Sequence, residues 1–527
     1  MRSAGCVAFA CAFAWLVMAC QFERPTDVLP VDAADGDANL SGVRIGPLAG
    51  GWVRIDEATT IVVSFERDPA FDGPVTLSLG APVPTGLTAD PVIVPPGQAN
   101  GELVLRAGSA AGAQLGPQAD LWVVATTSQG TTTAKMDILV AGRPGMVDER
   151  YGVVGVVAMP VADAGGFVRQ GDRLVVAGGD RLWRWTSEGA LDSSFGSAGE
   201  LVPVFNRMSA TGRVFVAGLA TGRLLLVGNG IGEVAGRSDV FLQRVTMDGQ
   251  LDPTYIESFD VQAVDTFTVS AVAVGPGDSI FVAGLAWQAG ENAVVVRKFD
   301  DRGQLDASFG QAGAISLDYG TSHNPPTVAV AADGGIIVAA MDSSSLVHLS
   351  RWTAAGAPVT SFGSAGEVLV NDMLSPQQTF PSLEYLSARN GADIWIAGMY
   401  TLSAPLNAEG VLVRATSNGA LDPAFGTNGV WSVMRGDADT IMSVVELGDG
   451  SLLVAGGTAP ALGGQLSGRL YHLSASGQPI LDFGPAGAVD VDFPFLPAGF
   501  AYADPSQRSW YLGGYSAGRL AVTRVWY

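Results

Sequence analysis

The sequence predicts an all-β chain, a seven-bladed β-propeller preceded by an Ig-like β-sandwich. Three observations predict it. A short strand ending in a small-residue step recurs seven times, closing at Gly178, Gly228, Gly284, Ala340, Gly398, Gly456 and Gly514. A turn of the form Gly-x-Leu-Asp-x-Ser-Phe-Gly, followed by x-x-Gly, keeps the same beat. The stretch before the repeats, 46–141, is cut into short β-branched runs by turn residues.

Composition excludes several classes. The chain has 527 residues, with 29 Lys+Arg against 51 Asp+Glu and a formal net charge of -22. Hydrophobic residues make up 48% and charged residues 15%, too apolar for a disordered chain. Nucleic acid is not an expected partner. Phosphate contacts need clustered cations, and Lys135 and Lys298 are the only two lysines.

Residues 1–19 read as a signal peptide. Arg2 supplies the positive end, and Val7 to Met18 forms an apolar run too short to span a bilayer. All three cysteines, Cys6, Cys11 and Cys20, lie in or directly after this segment. Val17-Met18-Ala19-Cys20 resembles a lipobox, the motif read by lipoprotein signal peptidase, which implies lipidation of Cys20. With Cys20 the sole remaining thiol, no disulfide and no cysteine metal site are expected. Gln21 after the cysteine favours the outer membrane by the sorting rule of enteric bacteria. Residues 20–45 carry Pro25, Pro30 and several acids without periodicity, and read as a tether. Membrane attachment is expected through the lipid alone.

The 46–141 segment holds strand-like runs at Thr59 to Phe65, Pro74 to Leu79, Gly101 to Arg106, Leu121 to Thr126 and Thr132 to Val140. Asp72-Gly73 and Pro95-Pro96-Gly97 separate them as turns. Short strands at this density suit an Ig-like sandwich. The order Phe71-Asp72-Gly73-Pro74-Val75-Thr76-Leu77-Ser78, Pro84 to Asp90, then Pro96-Gly97 and the long pair Trp122 to Val140 resembles an Ig-like module of secreted bacterial proteins. The resemblance implies a spacer or an adhesion unit, and the spacer is preferred.

The repeats fill 148–527. The strongest copies of the turn are Gly189 to Gly199, Gly303 to Gly313 and Gly419 to Gly429. Weaker copies are Gly249 to Tyr255, Gly356 to Gly366 and Gly477 to Gly487, and Tyr151-Gly152 opens the series. Each unit has room for four strands, as in Ala314 to Leu317, Thr327 to Ala331, Ile336 to Ala340 and Leu346 to Trp352. Four strands repeated seven times is the dimension of a seven-bladed propeller. The Leu-Asp-x-Ser-Phe-Gly-x-x-Gly signature with its small-residue step resembles the delta-60 repeat of bacterial surface proteins. That resemblance carries no catalytic motif. The Phe of the signature is expected to plug the space between blades, and the Asp to cap a turn.

One constellation attracts a functional reading. Five residues before the turn glycine, nearly every repeat places a cation or histidine: Arg184, Arg244, Lys298, Arg351, Arg414 and His472, and Arg524 is taken as the seventh. A ring of cations suits an anionic ligand such as an acidic glycan, whereas pairing with the repeat Asp would make it structural. Pairing is the preferred reading. Arg351 and His472 face Val359 and Ile480 where other repeats have Asp, and are the members most open to another partner.

The remaining candidates are weaker. His323, His348 and His472 show no metal-ligand spacing. His323 would need a second group to act as a base. Gly514-Tyr515-Ser516-Ala517-Gly518 has the nucleophile-elbow spacing but precedes a strand rather than a helix. Asp437-Ala438-Asp439 lacks the ligand count of a calcium loop. Four variable segments, 229–238, 285–291, 399–409 and 457–467, read as loops on one face, with Trp287 and Tyr400 as recognition residues. The reading is therefore a lipid-anchored envelope protein, exported to the outer membrane or cell surface, without catalytic, cofactor or metal residues. Its propeller recognises or scaffolds a protein or glycan. The competing reading is a propeller enzyme acting on sugars, of the quinoprotein dehydrogenase or polysaccharide lyase kind.

Overall fold

The computed structural model describes residues 43–45 and 51–527, apart from 110–113, 162–163, 204–212, 232–237, 256–258, 261–265, 289–290, 320–324, 374–377, 390–392, 404–405, 435–437, 460–466, 492–495 and 517. The signal segment, Cys20, His323 and Asp437 lie outside the described residues. No described helix is long and apolar enough to cross a membrane. The regular structure of the described chain is nearly all β, and it falls into two compact units. One is built on Glu149–Tyr502 and Tyr511–Arg524, the other on residues up to Asp148 with Ala503–Trp510 and Val525–Tyr527.

The N-terminal unit holds two sheets. The first runs in the order Val43–Ile45, Ala58–Arg67, Asn100–Ala107, Leu87–Ala89. The second runs Trp52–Arg54, Gly130–Ala141, Gly116–Thr127, Val75–Gly80, Val92–Val94. Period-2 alternation dictates what is buried. Ile61, Val63 and Phe65 point inward from the first sheet, and Val75, Leu77, Leu121, Val123, Met136 and Ile138 from the second. Both sets belong to one core. Val43–Ile45, read as tether, is instead a strand, paired antiparallel with Phe65, Glu66 and Arg67.

The repeat-bearing unit is a succession of antiparallel four-stranded sheets. In one of them the order is Thr266–Val274, Ile280–Gln288, Glu291–Phe299, Ala314–Leu317. The next has Thr327–Val330, Ile336–Met341, Val347–Trp352, Glu367–Leu369 in the same order. Two further sets of strands are joined into one eight-stranded sheet by a single parallel pairing of Ala408 with Ala438. The last sheet is mixed in origin: Val156–Ala158 pairs antiparallel with Ala521, Val522 and Thr523. Inner strands are heavily buried. Ile336–Met341 is buried at every position, as sheets covered on both faces must be.

Candidate functional site at the junctions between repeats

The signature turn works between repeats. The Phe is buried in each described copy: Phe195, Phe309, Phe362 and Phe425 are fully covered, and Tyr151 and Tyr255 take its place in two others. The following glycine donates its N–H to the turn of the next repeat. Gly196 bonds Asp248 O at 2.9 Å, Gly310 bonds Ala355 O at 2.9 Å, Gly363 bonds Asn418 O at 2.9 Å and Gly426 bonds Ser476 O at 2.9 Å. Gly152 does the same to Glu188 O at 2.8 Å. The receiving turn comes so close that only glycine fits. At Gly356, φ is +78° and a Cβ would lie 2.4 Å from Gly310 N.

The Asp of the signature caps its own turn. Asp192 Oδ1 accepts from Ser194 N at 3.1 Å and Ser194 Oγ at 2.6 Å. Asp252 does likewise with Thr254 N and Oγ1, at 3.0 and 2.6 Å. These bonds from Thr254, with Arg244 beside it, hold the Asp252 carboxyl down at about 2 against the opposing effect of burial. Ser308 and Lys298 lower Asp306 in the same way.

The cations complete a clamp. Arg184 Nε lies 2.8 Å from Asp192 Oδ2, and a second nitrogen donates to Met247 O in the next repeat. Arg244 pairs with Asp252 at 2.8 Å and donates to Asp301 O at 3.2 Å. Lys298 pairs with Asp306 at 2.9 Å and donates to Ala354 O at 3.0 Å. Arg414 lies 3.2 Å from Asp422 and donates to Ala475 O at 3.2 Å. Arg184 also stands over Phe195 at 4.7 Å, and Arg244 over Tyr255 at 4.9 Å. Each acceptor carbonyl is the second residue of the next repeat's turn. The same geometry returns at the chain's last strand, where Arg524 donates to Ser187 O at 2.6 Å.

Arg351 and His472, which have Val359 and Ile480 in place of the signature Asp, find other side-chain partners. Arg351 pairs with Asp333 of the preceding hairpin at 2.7 Å and donates to Ser417 O. His472 Nε2 lies 3.1 Å from Ser451 Oγ, with Phe483 edge-on to its ring. The cation positions are therefore structural groups, each already bound.

The loop face needs correction. The described ends of the variable segments continue the strands Leu224–Ile231, Ser238–Val245, Ile280–Gln288, Glu291–Phe299, Asp393–Ser403 and Leu406–Thr416, while 232–237, 289–290, 404–405 and 460–466 lie outside the described residues. Trp287 is 40% exposed, as a recognition residue should be, but Tyr400 is only 4% exposed, with its hydroxyl on the Glu409 carboxylate. Alternation sets this: Tyr400 shares a strand with buried Ile396 and takes an inward position. Ser516 of the Gly-x-Ser-x-Gly stretch ends a strand, and another strand, Arg519–Trp526, comes after it.

Two groups escaped the sequence reading. His348 sits between two carboxylates, with Nδ1 on Glu367 and Nε2 3.2 Å from Asp342 Oδ2. Tyr319 stacks on its ring at 4.3 Å, and burial first, then Glu367, pushes that phenol up to about 12. The members come from four separate segments, so no spacing announces them. Among the described residues no group of three or more His, Cys, Asp or Glu is arranged to hold a metal ion.

The second group is Glu384. The first strand of several sheets carries a one-residue bulge opposite the small-residue step, at Gly165, Ser270, Glu384 and Met442. There the strand of one repeat approaches the next. A Cβ on Gly165 would lie 1.7 Å from Val214 O, and Ser270 Oγ donates to Pro326 O at 2.6 Å. Glu384 puts a carboxyl at this position. Burial pushes it up to about 7, against a hydrogen bond from Ser382. Its folded value thus exceeds the unfolded one of about 4.3, so ionisation opposes folding. The penalty is absent near pH 4, grows up to about pH 7 and is complete above it. Glu384→Gln is expected to stabilise the protein by roughly 1–3 kcal/mol at pH 8, the lower values reflecting the solvent that still reaches this half-buried group. Urea unfolding at pH 8 and at pH 4 checks this, because the gain should vanish at pH 4.

A family match bears on the architecture. Residues 219–255 match a family described as "Domain of unknown function (DUF5122) beta-propeller". This stretch spans one small-residue step, Arg244 and the Leu251-Asp252 turn. With the run of four-stranded sheets, it makes the repeat-bearing unit a β-propeller. No curated protein matches the chain. Among solved structures, the polysaccharide lyase Uly1 is similar at 10% identity and TM-score 0.41, over 71% of this chain and 92% of its own. The Bombyx mori GH32 beta-fructofuranosidase is similar at 11% identity and TM-score 0.30, over 72% and 92%. The endo-1,5-alpha-L-arabinanase from Thermotoga petrophila is similar at 10% identity and TM-score 0.24, over 70% and 99%.

Proposed function

We propose that the chain is a cell-envelope lipoprotein whose propeller is a non-enzymatic recognition or scaffold module for a protein or glycan. In this reading Cys20 carries the lipid at the outer membrane or cell surface, and residues 21–42 lift the folded part away from the bilayer. The N-terminal unit is an Ig-like spacer, and the repeat-bearing unit resembles delta-60 repeat proteins. The propeller has seven blades, the last completed by Val156–Ala158. One observation carries the non-enzymatic reading. The repeated cations, the chain's most conspicuous chemistry, are bound into clamps between repeats, and so favour a rigid frame over an anion-binding ring. A sugar-acting enzyme is the second reading, and His348 between Asp342 and Glu367 is the group it would use.

The test is to immobilise the full chain over neutral and acidic polysaccharides and solubilised envelope proteins, while monitoring release of reducing sugar. Saturable binding without product supports recognition. Turnover that His348→Ala abolishes would replace that reading with the enzyme. For the anchor, wild type is expected in the membrane fraction and Cys20→Ser in the soluble one. Equal partition of the two would remove the lipid from the proposal.

A further inference from the structure

Six of the seven clamp positions hold a guanidinium or ammonium, charged throughout the range from pH 5 to 8. The sixth repeat has His472 instead, the one side-chain type whose ordinary titration falls inside that range. Its surroundings fix the tautomer. Ser451 Oγ lies 2.7 Å from Asp449 Oδ1 and 3.1 Å from His472 Nε2. Two hydrogen bonds from Ser451, one from its hydroxyl and one from its backbone N–H, hold the Asp449 carboxyl below the usual carboxylate range, and His472 adds to this. The carboxylate can only accept, so it takes the single hydroxyl proton. His472 Nε2 must then donate to Ser451 Oγ, which leaves Nδ1 to gain or lose a proton.

The groups around the ring favour the charged form. Asp449 faces it through Ser451, from the turn between two strands of the repeat. The signature turn contributes Phe483, 5.5 Å away and edge-on, and Ile480 N bonds His472 O at 2.9 Å. The neighbouring strand contributes Leu453, which is uncharged. Arg469, the cation on His472's own strand, is paired with Asp490 at 2.5 Å.

We propose that the sixth repeat carries a proton-operated clamp. Uptake of a proton at His472 Nδ1 supplies the cation that the other repeats hold permanently, and acidification tightens this repeat. The favourable charge is present below the titration of the imidazole and is lost as pH rises through it. The clamp goes beyond the recognition reading and does not depend on it.

Hydrogen exchange of the full chain at pH 5.5 and 7.5, corrected for intrinsic rates, tests the clamp on peptides covering Ser467–Leu473 and Ala488–Asp490. Wild type should gain about threefold to tenfold protection at pH 5.5 relative to pH 7.5. His472→Gln should lose that gain, and His472→Arg should show the protection at both pH values. Asp449→Asn should shrink the gain and lower the midpoint of the His472 ring resonance in a proton NMR titration. Retention of the full acid gain by His472→Gln overturns the proposal. If the Arg variant fails to fold, the Gln variant and the ring titration still decide.

Discussion

Phe309→Ala is expected to cost about 3–5 kcal/mol, the range for emptying a fully buried aromatic site. Phe309 has no exposed surface, and its cluster draws on two repeats. Phe281, Val296 and Ile315 come from one sheet, and Val328, Ile336 and Val338 from the next. The ring meets Phe281 edge-to-face at 5.7 Å. Removing it leaves a cavity between two sheets, whose strands are fixed by ladders that resist collapse. The backbone adds to the cost, because Gly310 N and Gly313 N anchor the turn on Ala355 O and Phe309 O at 2.9 Å each. Phe309→Leu, closer in volume, should cost less than half as much. Urea unfolding of both variants at pH 7 measures the difference. A loss below about 1 kcal/mol for the Ala variant would mean that the junction repacks and that the plug is dispensable.

The features legible in the sequence were those that repeat. The small-residue strand recurs every 50 to 58 residues and the cation every 52 to 63, with the buried Phe and the capping Asp of the turn beside it. Recurrence separates them from background, and simple chemistry assigns each a partner. What the cations grip in the next repeat was not legible. Met247, Asp301, Ala354 and Ala475 act through backbone carbonyls, which no side chain advertises. The loop face was misread for a related reason. Variation between the repeats suggested loops, yet strand pairing continues past Asn229 and Glu409, with Asn229 opposite Val240 and Glu409 opposite Tyr400. The Asn229 amide also bonds the next sheet, donating to Phe267 O at 2.6 Å and accepting from Val269 N at 2.7 Å. Glu384 left one usable signal. Aligning the repeats on their small-residue steps puts an acid where two others have Ser270 and Met442. His348 left none, because its carboxylates sit at unrelated distances along the chain.

Arg524→Met is expected to cost about 2–4 kcal/mol, more than the same change at Arg351. Burial sets the difference between the two. Arg524 is 2% exposed, whereas the Arg351 side chain is 14% exposed and pairs with an Asp333 that is 58% exposed. A buried charged donor is worth about 1.5–3 kcal/mol per hydrogen bond, and Arg524 donates to Ser187 O at 2.6 Å and to Tyr511 Oη at 3.2 Å. It also lies over the Tyr151 ring at 5.2 Å, and burial pushes that phenol well above the ordinary range, so the ring stays neutral beneath the cation. Topology supplies the second step. The other clamps join neighbouring repeats, whose strands lie close together along the chain. Arg524 joins the last strand to the first turn, as do the pairing of Val156–Ala158 with Ala521–Thr523 and the bond from Thr523 Oγ1 to Gly155 O at 2.9 Å. Bringing such distant segments together carries the largest loop-closure entropy in the unit, so a loss there is not offset by local strand pairing. The two variants should therefore differ in kind as well as size. Arg351→Met should lower the unfolding midpoint and keep one transition. Arg524→Met should also raise hydrogen exchange in Val156–Ala158 and Arg519–Trp526 before global unfolding. Equal midpoints and equal exchange for the two variants would show that Arg524 is one clamp among several rather than the latch between the ends.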